Sequence, residues 1–345
     1  MTGVTKLAER LRVEPFMVFI LLTVGVAALL PARGSWAEGA GTACNLAIGL
    51  LFFLYGVRLS TTEAVNGLRH WRLHGTVLAA TFLLFPLLGL AAQLLPGSLL
   101  PRDLALGVLF LCCLPSTVQS SIAFTSVAGG NVPAAICAAS LSNLAGILVT
   151  PVLIGLLMAT RGGISGHAVL DIAAQLLAPF VLGQLLRRWI GSWVTGHRGM
   201  LALVDRGSIL LVVYTAFSDG MRTGIWHQVS ASALGSLLLL NAVLLAIVLT
   251  ETTALAHLLG FRRGDRITIL FCGSKKSLAS GLPMAGVLFA GHGVGLLVLP
   301  LMLFHQLQLM VCSWLAGRFA RRAETTEAET SVPPAASPMA EQTTA

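Results

Sequence analysis

Apolar residues along this chain fall into long runs broken by short polar joints, without the strict alternation of half-buried strands. Runs of about 20 apolar residues match the hydrocarbon thickness of a bilayer, which only helices or closed barrels cross. A barrel would show short segments of alternating polarity, and these runs do not alternate. The pattern predicts ten membrane helices, at 15–31, 41–60, 75–96, 103–128, 132–160, 167–186, 203–221, 229–257, 267–290 and 293–317. The expected fold is an all-α polytopic membrane protein. From Ala323 the pattern changes: "AETTEAETSVPPAASPMAEQTTA" is polar and rich in Pro, Ala and Thr. Without an apolar face it reads as a disordered tail over 323–345.

Two of the ten runs carry polar interruptions at corresponding places. The fourth reads "LALGVLFLCCLPSTVQSSIAFTSVAGGN", with Pro115 followed by Ser116, Thr117, Gln119, Ser120 and Ser121. The ninth reads "ITILFCGSKKSLASGLPMAGVLFA", interrupted by Gly273, Ser274, Lys275, Lys276 and Ser277. A proline removes a backbone donor and breaks the helix. A broken helix leaves carbonyls at the end of its first part and N–H groups at the start of its second. In lipid such groups must line protein or water. The carbonyl end favours cations and the N–H end favours anions. Paired interruptions in two halves of a chain point to a transporter's binding site. The two lysines lie near the middle of a 24-residue run, about 36 Å long as a helix. A lysine at that depth costs about 2.5–3.5 kcal/mol to insert, and persists where it faces a cavity or serves a function.

Ten spans divide into five and five, and an odd repeat must enter the membrane the second time upside down. The expected organisation is a segment 1–14, a first five-helix repeat 15–160, an inverted second repeat 161–322, and the tail. With the N-terminus cytoplasmic, sixteen of the 22 lysines and arginines fall at inside ends and four outside, leaving the lysine pair within the ninth span. That bias places both termini in the cytoplasm.

Composition agrees: 56% of residues are hydrophobic, 10% are charged, and mean hydropathy is +0.85. The net charge of +8 lies in short loops, so it reads as membrane orientation and not as a nucleic-acid surface. Six cysteines lie in apolar segments without zinc-ligand spacing and read as small buried residues. In the tenth span "FHQLQ" puts His305 and Gln308 on one face, suited to interhelical hydrogen bonding, to contact with the ninth-span break, or to a proton relay. Ser140 and Asn143 share a face of the fifth span, while Asn241 in the eighth reads as packing glue and Asp205 as a residue at a helix end.

"FCGSKKSLASGLPMA", "LPSTVQSSIAFTSVAGGNVPAAICAASLSNLAGILVTP" and "LMLFHQLQLMVCSWLA" together resemble the sodium/bile-acid symporter superfamily. Within it, the branch related to the vertebrate solute carrier family ten, member seven, with its bacterial symporters, is the most similar. The resemblance covers about residues 10 to 320. It implies two inverted five-helix repeats, a panel of helices 1, 2, 6 and 7, and a core of helices 3, 4, 5, 8, 9 and 10. Broken helices 4 and 9 cross at the midplane, and solute enters between panel and core by alternating access.

Sodium-coupled members of the superfamily place an acidic residue and a glutamine around the helix-9 break. The comparable positions here hold Phe271 or Cys272 and Lys275 or Lys276. Two ammonium groups repel sodium, which argues against sodium coupling. Ser120, Ser121, Ser140, Ser142 and Asn143 remain as oxygen donors for a sodium ion. A lysine ammonium in the sodium position and a lysine that exchanges its proton are the two alternatives.

The function expected is secondary transport of an anionic or amphipathic organic solute, with sodium or a proton as coupling ion and no other cofactor. The setting is the plasma membrane, a bacterial inner membrane. An intramembrane enzyme lacks its signature, since there is no HExxH and no acidic pair lies mid-membrane. A regulatory or scaffolding membrane protein of the same fold is the remaining alternative.

Overall fold

The computed structural model describes residues 15–58, 70–159, 166–224, 230–289 and 294–330, and every regular element among them is helical. The elements are α1 (Pro15–Leu29), α2 (Ser35–Arg58), α3 (Trp71–Ala92), α4 (Arg102–Cys113), α5 (Gln119–Val127) and α6 (Val132–Ala159). They continue with α7 (Gly166–Gly196), α8 (Arg198–Thr223), α9 (Ala231–Leu258), α10 (Arg263–Gly273), α11 (Leu278–Leu288) and α12 (Val294–Thr330). Among the described residues α2, α3, α6, α8, α9 and α12 are long and apolar enough to cross a membrane. Their outward faces carry exposed apolar side chains such as Leu46, Leu156 and Leu239, as lipid contact requires.

Helices α2, α3 and α8 start four to six residues before the expected 41, 75 and 203, and two helix ends run further past expectation. Helix α7 continues past 186 to Gly196, where Arg187 and Arg188 are good helix formers and the Arg188 guanidinium lies 4.1 Å from the Trp189 ring centre. Helix α12 runs to Thr330, beyond the boundary expected at 322, because Arg, Ala and Glu in "RRAETTEAET" propagate a helix already nucleated. The tail expected to be disordered thus begins as helix. Residues 331–345, the segment 1–14 and the division between repeats near 161 lie outside the described residues.

Helix α2 packs along α7, and two glycines let their backbones touch. A Cβ on Gly56 would lie 2.0 Å from Phe180 O, and one on Gly183 would lie 2.0 Å from Phe53 O. Helix α8 lies against α1 and α2, and also reaches α11 and α12. Elsewhere α4 packs on α3 and α12, α9 on α10 and α12, and α6 on α3, α5 and α10. Asn241 on α9 donates to Pro300 O on α12 at 3.1 Å, a packing role in keeping with the sequence reading.

The "AGGN" turn brings the two interrupted runs together. Helix α5 ends on left-handed Gly129 (φ 69), and Gly130 N–H donates back to Thr125 O at 2.8 Å. Asn131 then caps α6 by accepting from Ala134 N–H at 3.1 Å. Its side-chain amide donates to Asp265 Oδ1 at 2.8 Å and its backbone N–H to Gly264 O at 3.1 Å, which ties the turn to the start of α10.

Candidate functional site

Helices α4 and α5 are separated by residues 114–118, and α10 and α11 by 274–277. Both interruptions expected from sequence are therefore real breaks, and they meet. Every carbonyl from Leu111 to Pro115 has a named donor. Leu111 O accepts from Leu114 N–H at 3.3 Å, Cys113 O from the Thr150 hydroxyl at 2.8 Å, and Pro115 O from Ser277 N–H at 2.8 Å. Cys112 O and Leu114 O both accept from Lys276 Nζ, at 2.8 and 2.6 Å.

Lys276 Nζ has a third acceptor, Thr81 O at 2.8 Å. That carbonyl is free for a local reason. Pro86 has no N–H to offer one turn back, and α3 responds with a π-helical stretch at Ala80–Leu84. Phe85 N–H consequently donates to Ala80 O, so Thr81 O loses its intrahelical donor. Three acceptors within hydrogen-bond range require three N–H donors, so this amine is an ammonium. Its charge also sits 4.0 Å from the centre of the Phe85 ring, and Phe85 is held edge-on by Phe304 at 6.0 Å.

Lys275, equally buried, takes a different course. Its Nζ lies 3.8 Å from the Phe124 ring centre and 5.7 Å from that of Phe271, and Phe319 packs edge-on against Phe271. One lysine thus closes the carbonyl end of α4, and its neighbour sits over aromatic faces between α5 and α10.

The remaining sequence candidates gather around the same crossing. Gly273 ends α10 where a Cβ would come within 3.1 Å of Thr252. Ser274 donates back to Leu270 O at 2.6 Å, and Ser277 caps α11 by accepting from Ser280 N–H at 3.1 Å. Ser116 N–H donates to the Ser142 hydroxyl at 3.1 Å. Gln308 on α12 grips the break from both sides: Oε1 accepts from Lys276 N–H at 2.9 Å and Nε2 donates to Lys276 O at 2.9 Å. His305 Nδ1 lies 2.9 Å from Gln308 Nε2 and 3.4 Å from Lys276 O.

The oxygens considered for sodium are mostly engaged with protein. The Thr117 hydroxyl shares hydrogen bonds with Ser120 at 2.6 Å and Ser121 at 3.2 Å, and Ser121 donates to Phe271 O at 3.1 Å. Asn143 Oδ1 accepts from Ser280 at 2.7 Å. An ammonium occupies the helix-end carbonyls, and no carboxylate lies among these groups.

A cavity of about 590 Å³ adjoins the crossing. Its polar wall includes Thr117, Gln119, Ser120, Ser140, Asn143, Ser277, Ser280 and His305, so the first turns of α5 and α11 both border it. Phe16, Phe180, Leu201 and Ile209 supply an apolar wall from α1, α7 and α8. Arg58, Asp205 and Arg206 complete it; Arg58 is bidentate to Asp205, at 2.9 and 3.2 Å.

Sequence reading missed Thr81, Phe85, Thr150 and the Arg58–Asp205–Arg206 group. Pro86 inside an apolar run was the available signal for Thr81. The Arg58–Asp205 pair is 147 positions apart in sequence and left no local trace.

Residues 14–321 match the SBF-like CPA transporter family. An uncharacterized protein of Pseudomonas aeruginosa is 54% identical over 313 residues, covering 90% of this chain and 94% of its own length. An Escherichia coli protein named "Putative symporter YfeH" is 49% identical over 318 residues, 92% and 96% of the two chains. Sodium/bile acid cotransporter 7 of Rattus norvegicus is 31% identical over 328 residues, 91% and 96% of the two chains. These matches bear out the resemblance read from the sequence, and with the apolar helices they make this an integral membrane protein and not an enzyme. The chain belongs to the SBF-like CPA transporter family.

Proposed function

We infer that the chain is a secondary transporter that moves an anionic or amphipathic organic solute by alternating access, without sodium as coupling ion. The observation that carries this reading is the Lys276 ammonium on Thr81 O, Cys112 O and Leu114 O. The carbonyl end of a broken helix favours a cation, and here the chain supplies one covalently. A tethered ammonium takes the place of a sodium ion, stays through the cycle, and is indifferent to the sodium concentration outside.

The architecture that goes with this reading is ten spans in two inverted five-helix repeats, 15–160 and 161–322. Helices α4–α5 and α10–α11 are then the broken fourth and ninth spans. Helices α1, α2, α7 and α8 form the panel and the others the core. The cavity is lined from both groups, which supports solute entry between them. Both termini are cytoplasmic in the plasma membrane, a bacterial inner membrane, by the arginine bias.

The cavity's chemistry supports an anion. Two half-helix N-termini border it, Asp205 is already bridged to Arg58, and Arg206 has no salt bridge among the described residues. The rat relative's name, a sodium/bile acid cotransporter, fits an amphipathic organic anion of this size. The test is taurocholate uptake by the purified full chain in proteoliposomes, with sodium or choline outside. Uptake above protein-free vesicles, equal in the two salts, is the expected result. No protein-dependent flux would favour the regulatory or scaffolding reading, and strict sodium dependence would contradict the role given to Lys276.

A further inference from the structure

The cavity has two chemically different ends. One is lined by Phe16 at the start of α1, Arg58 at the end of α2, Thr195 near the end of α7, and Asp205 and Arg206 early in α8. The other reaches the helix breaks, where Gln119, Ser120, Ser140, Asn143 and Ser280 line it. Gln119, in the first turn of α5, is exposed there, so the crossing is open to the cavity. Between the two ends lie apolar side chains such as Leu144, Ile147 and Ile209.

Arginine and aspartate, charged throughout the physiological range, line only the first end. Lys275 and Lys276 belong to the break but are not among the cavity's lining residues. Arg58 and Asp205 form a bridge whose side chains are 27% and 26% exposed. Two guanidiniums and one carboxylate leave one positive charge in excess, and Arg206 carries it. Its guanidinium carbon lies 5.7 Å from the Phe16 ring centre, and both residues line the cavity. The helix starts at the crossing offer an anion less. A helix N-terminus amounts to about half a charge. At α11 the Ser277 hydroxyl already accepts from Ser280 N–H, and at α5 the Thr117 hydroxyl is shared with Ser120 and Ser121. A guanidinium offers a whole charge and a fork of donors that matches a carboxylate or sulfonate. The hydroxyls and amides at the crossing suit uncharged polar groups instead.

Resting on the carrier reading above, we propose that Arg206 receives the anionic group of the solute and that the solute lies with its hydroxyl-bearing end against Gln119 at the crossing. The class selected is an amphiphile with a single anionic group at one end, an apolar body, and hydroxyls remote from the charge. Asp205 sets the count: by neutralising Arg58 it leaves room for one negative charge. Arg206, Asp205 and Arg58 stand on α8 and α2, whereas the hydroxyl-binding groups stand on α5, α6 and α11. A bound solute therefore links two separate groups of helices through its two ends.

Three probes separate the ends. Cholate has the carboxylate and the hydroxyls, its methyl ester keeps the hydroxyls without the charge, and 5β-cholanate keeps the charge without the hydroxyls. Affinity is measured on the purified full chain, by displacement of radiolabelled cholate. In Arg206→Gln, cholate and cholanate should bind about 5-fold more weakly, the upper end for a partly exposed ion pair, with the ester unchanged. Arg206→Lys should recover most of the loss. In Gln119→Ala, cholate and its ester should weaken about 2- to 10-fold, as for a neutral hydrogen bond, with cholanate unchanged. Arg262→Gln, an exposed arginine off the cavity lining, should bind all three like wild type. The inference is overturned if Arg206→Gln treats cholate and ester alike, if Arg262→Gln loses as much, if the two patterns are exchanged, or if wild type shows no saturable cholate binding. The expected pattern without any taurocholate uptake upholds the site and withdraws the carrier reading. Uptake with an indifferent Arg206→Gln does the reverse.

Discussion

Ser277 N–H donates to Pro115 O at 2.8 Å, joining the two helix breaks main chain to main chain. The bond places the carbonyl end of α4 against the N-terminus of α11, and the ammonium of the preceding residue takes Cys112 O and Leu114 O. Backbone that would be intolerable in lipid is thereby satisfied within the protein.

Lys276→Met removes the donor from three buried carbonyls at once. The expected loss is about 3–5 kcal/mol, the range seen when one partner of a buried charged contact is deleted. Lys275→Met removes a charge held against aromatic rings and should cost less, about 0.5–2 kcal/mol. Unfolding of the two purified variants in SDS titrations checks the order. Equal stability of Lys276→Met and wild type would contradict the geometry.

The two breaks and the burial of the lysines were legible because Pro115 and the charge pair stand out in otherwise apolar runs. The division of labour within the pair was not, since adjacent residues look alike until their side chains diverge. Thr81 was invisible as a carbonyl; only its displaced hydrogen-bond register, set by Pro86, marks it. The reach of α12 to Thr330 was missed because a polar, Pro-containing tail was read as one unit, although its first residues are good helix formers. The Arg58–Asp205 pair depends on α2 and α8 being neighbours, which no local pattern encodes.

Pro86→Ala tests the π-helical register. Replacing a proline in a helix interior would ordinarily gain up to about 3 kcal/mol. Here it lets α3 close its regular ladder and withdraw Thr81 O from Lys276. The gain should be largely absent in wild type and reappear in a Lys276→Met background, a coupling read from a double-mutant cycle. An additive cycle would show that Thr81 and Lys276 are independent.

At the α2–α7 crossing, Gly183→Ala would put a methyl 2.0 Å from Phe53 O and must push the helices apart. A loss of about 1–3 kcal/mol or more is expected. Gly49→Ala on the same α2 has nothing within 4 Å of the new methyl and should melt like wild type. Thermal unfolding of both variants makes the comparison.

Asp205→Asn removes the one carboxylate among the described residues of the cavity lining and frees the Arg58 fork. The pair is partly exposed, so stability should fall by only about 0.2–1 kcal/mol. The added net positive charge should tighten taurocholate binding, seen as a lower KM for uptake. A higher KM would indicate that the bridge, and not the charge, shapes the site.

The central claim is that the Lys276 ammonium stands where a coupled sodium ion would bind. The most direct measurement is the melting temperature of the purified full chain, titrated with sodium chloride against choline chloride and potassium chloride at equal ionic strength. The account predicts the same temperature in all three salts. A saturable rise with sodium alone would contradict it, placing a sodium ion on the oxygens of Ser120, Ser121, Ser140 and Asn143 and leaving Lys276 a purely structural role.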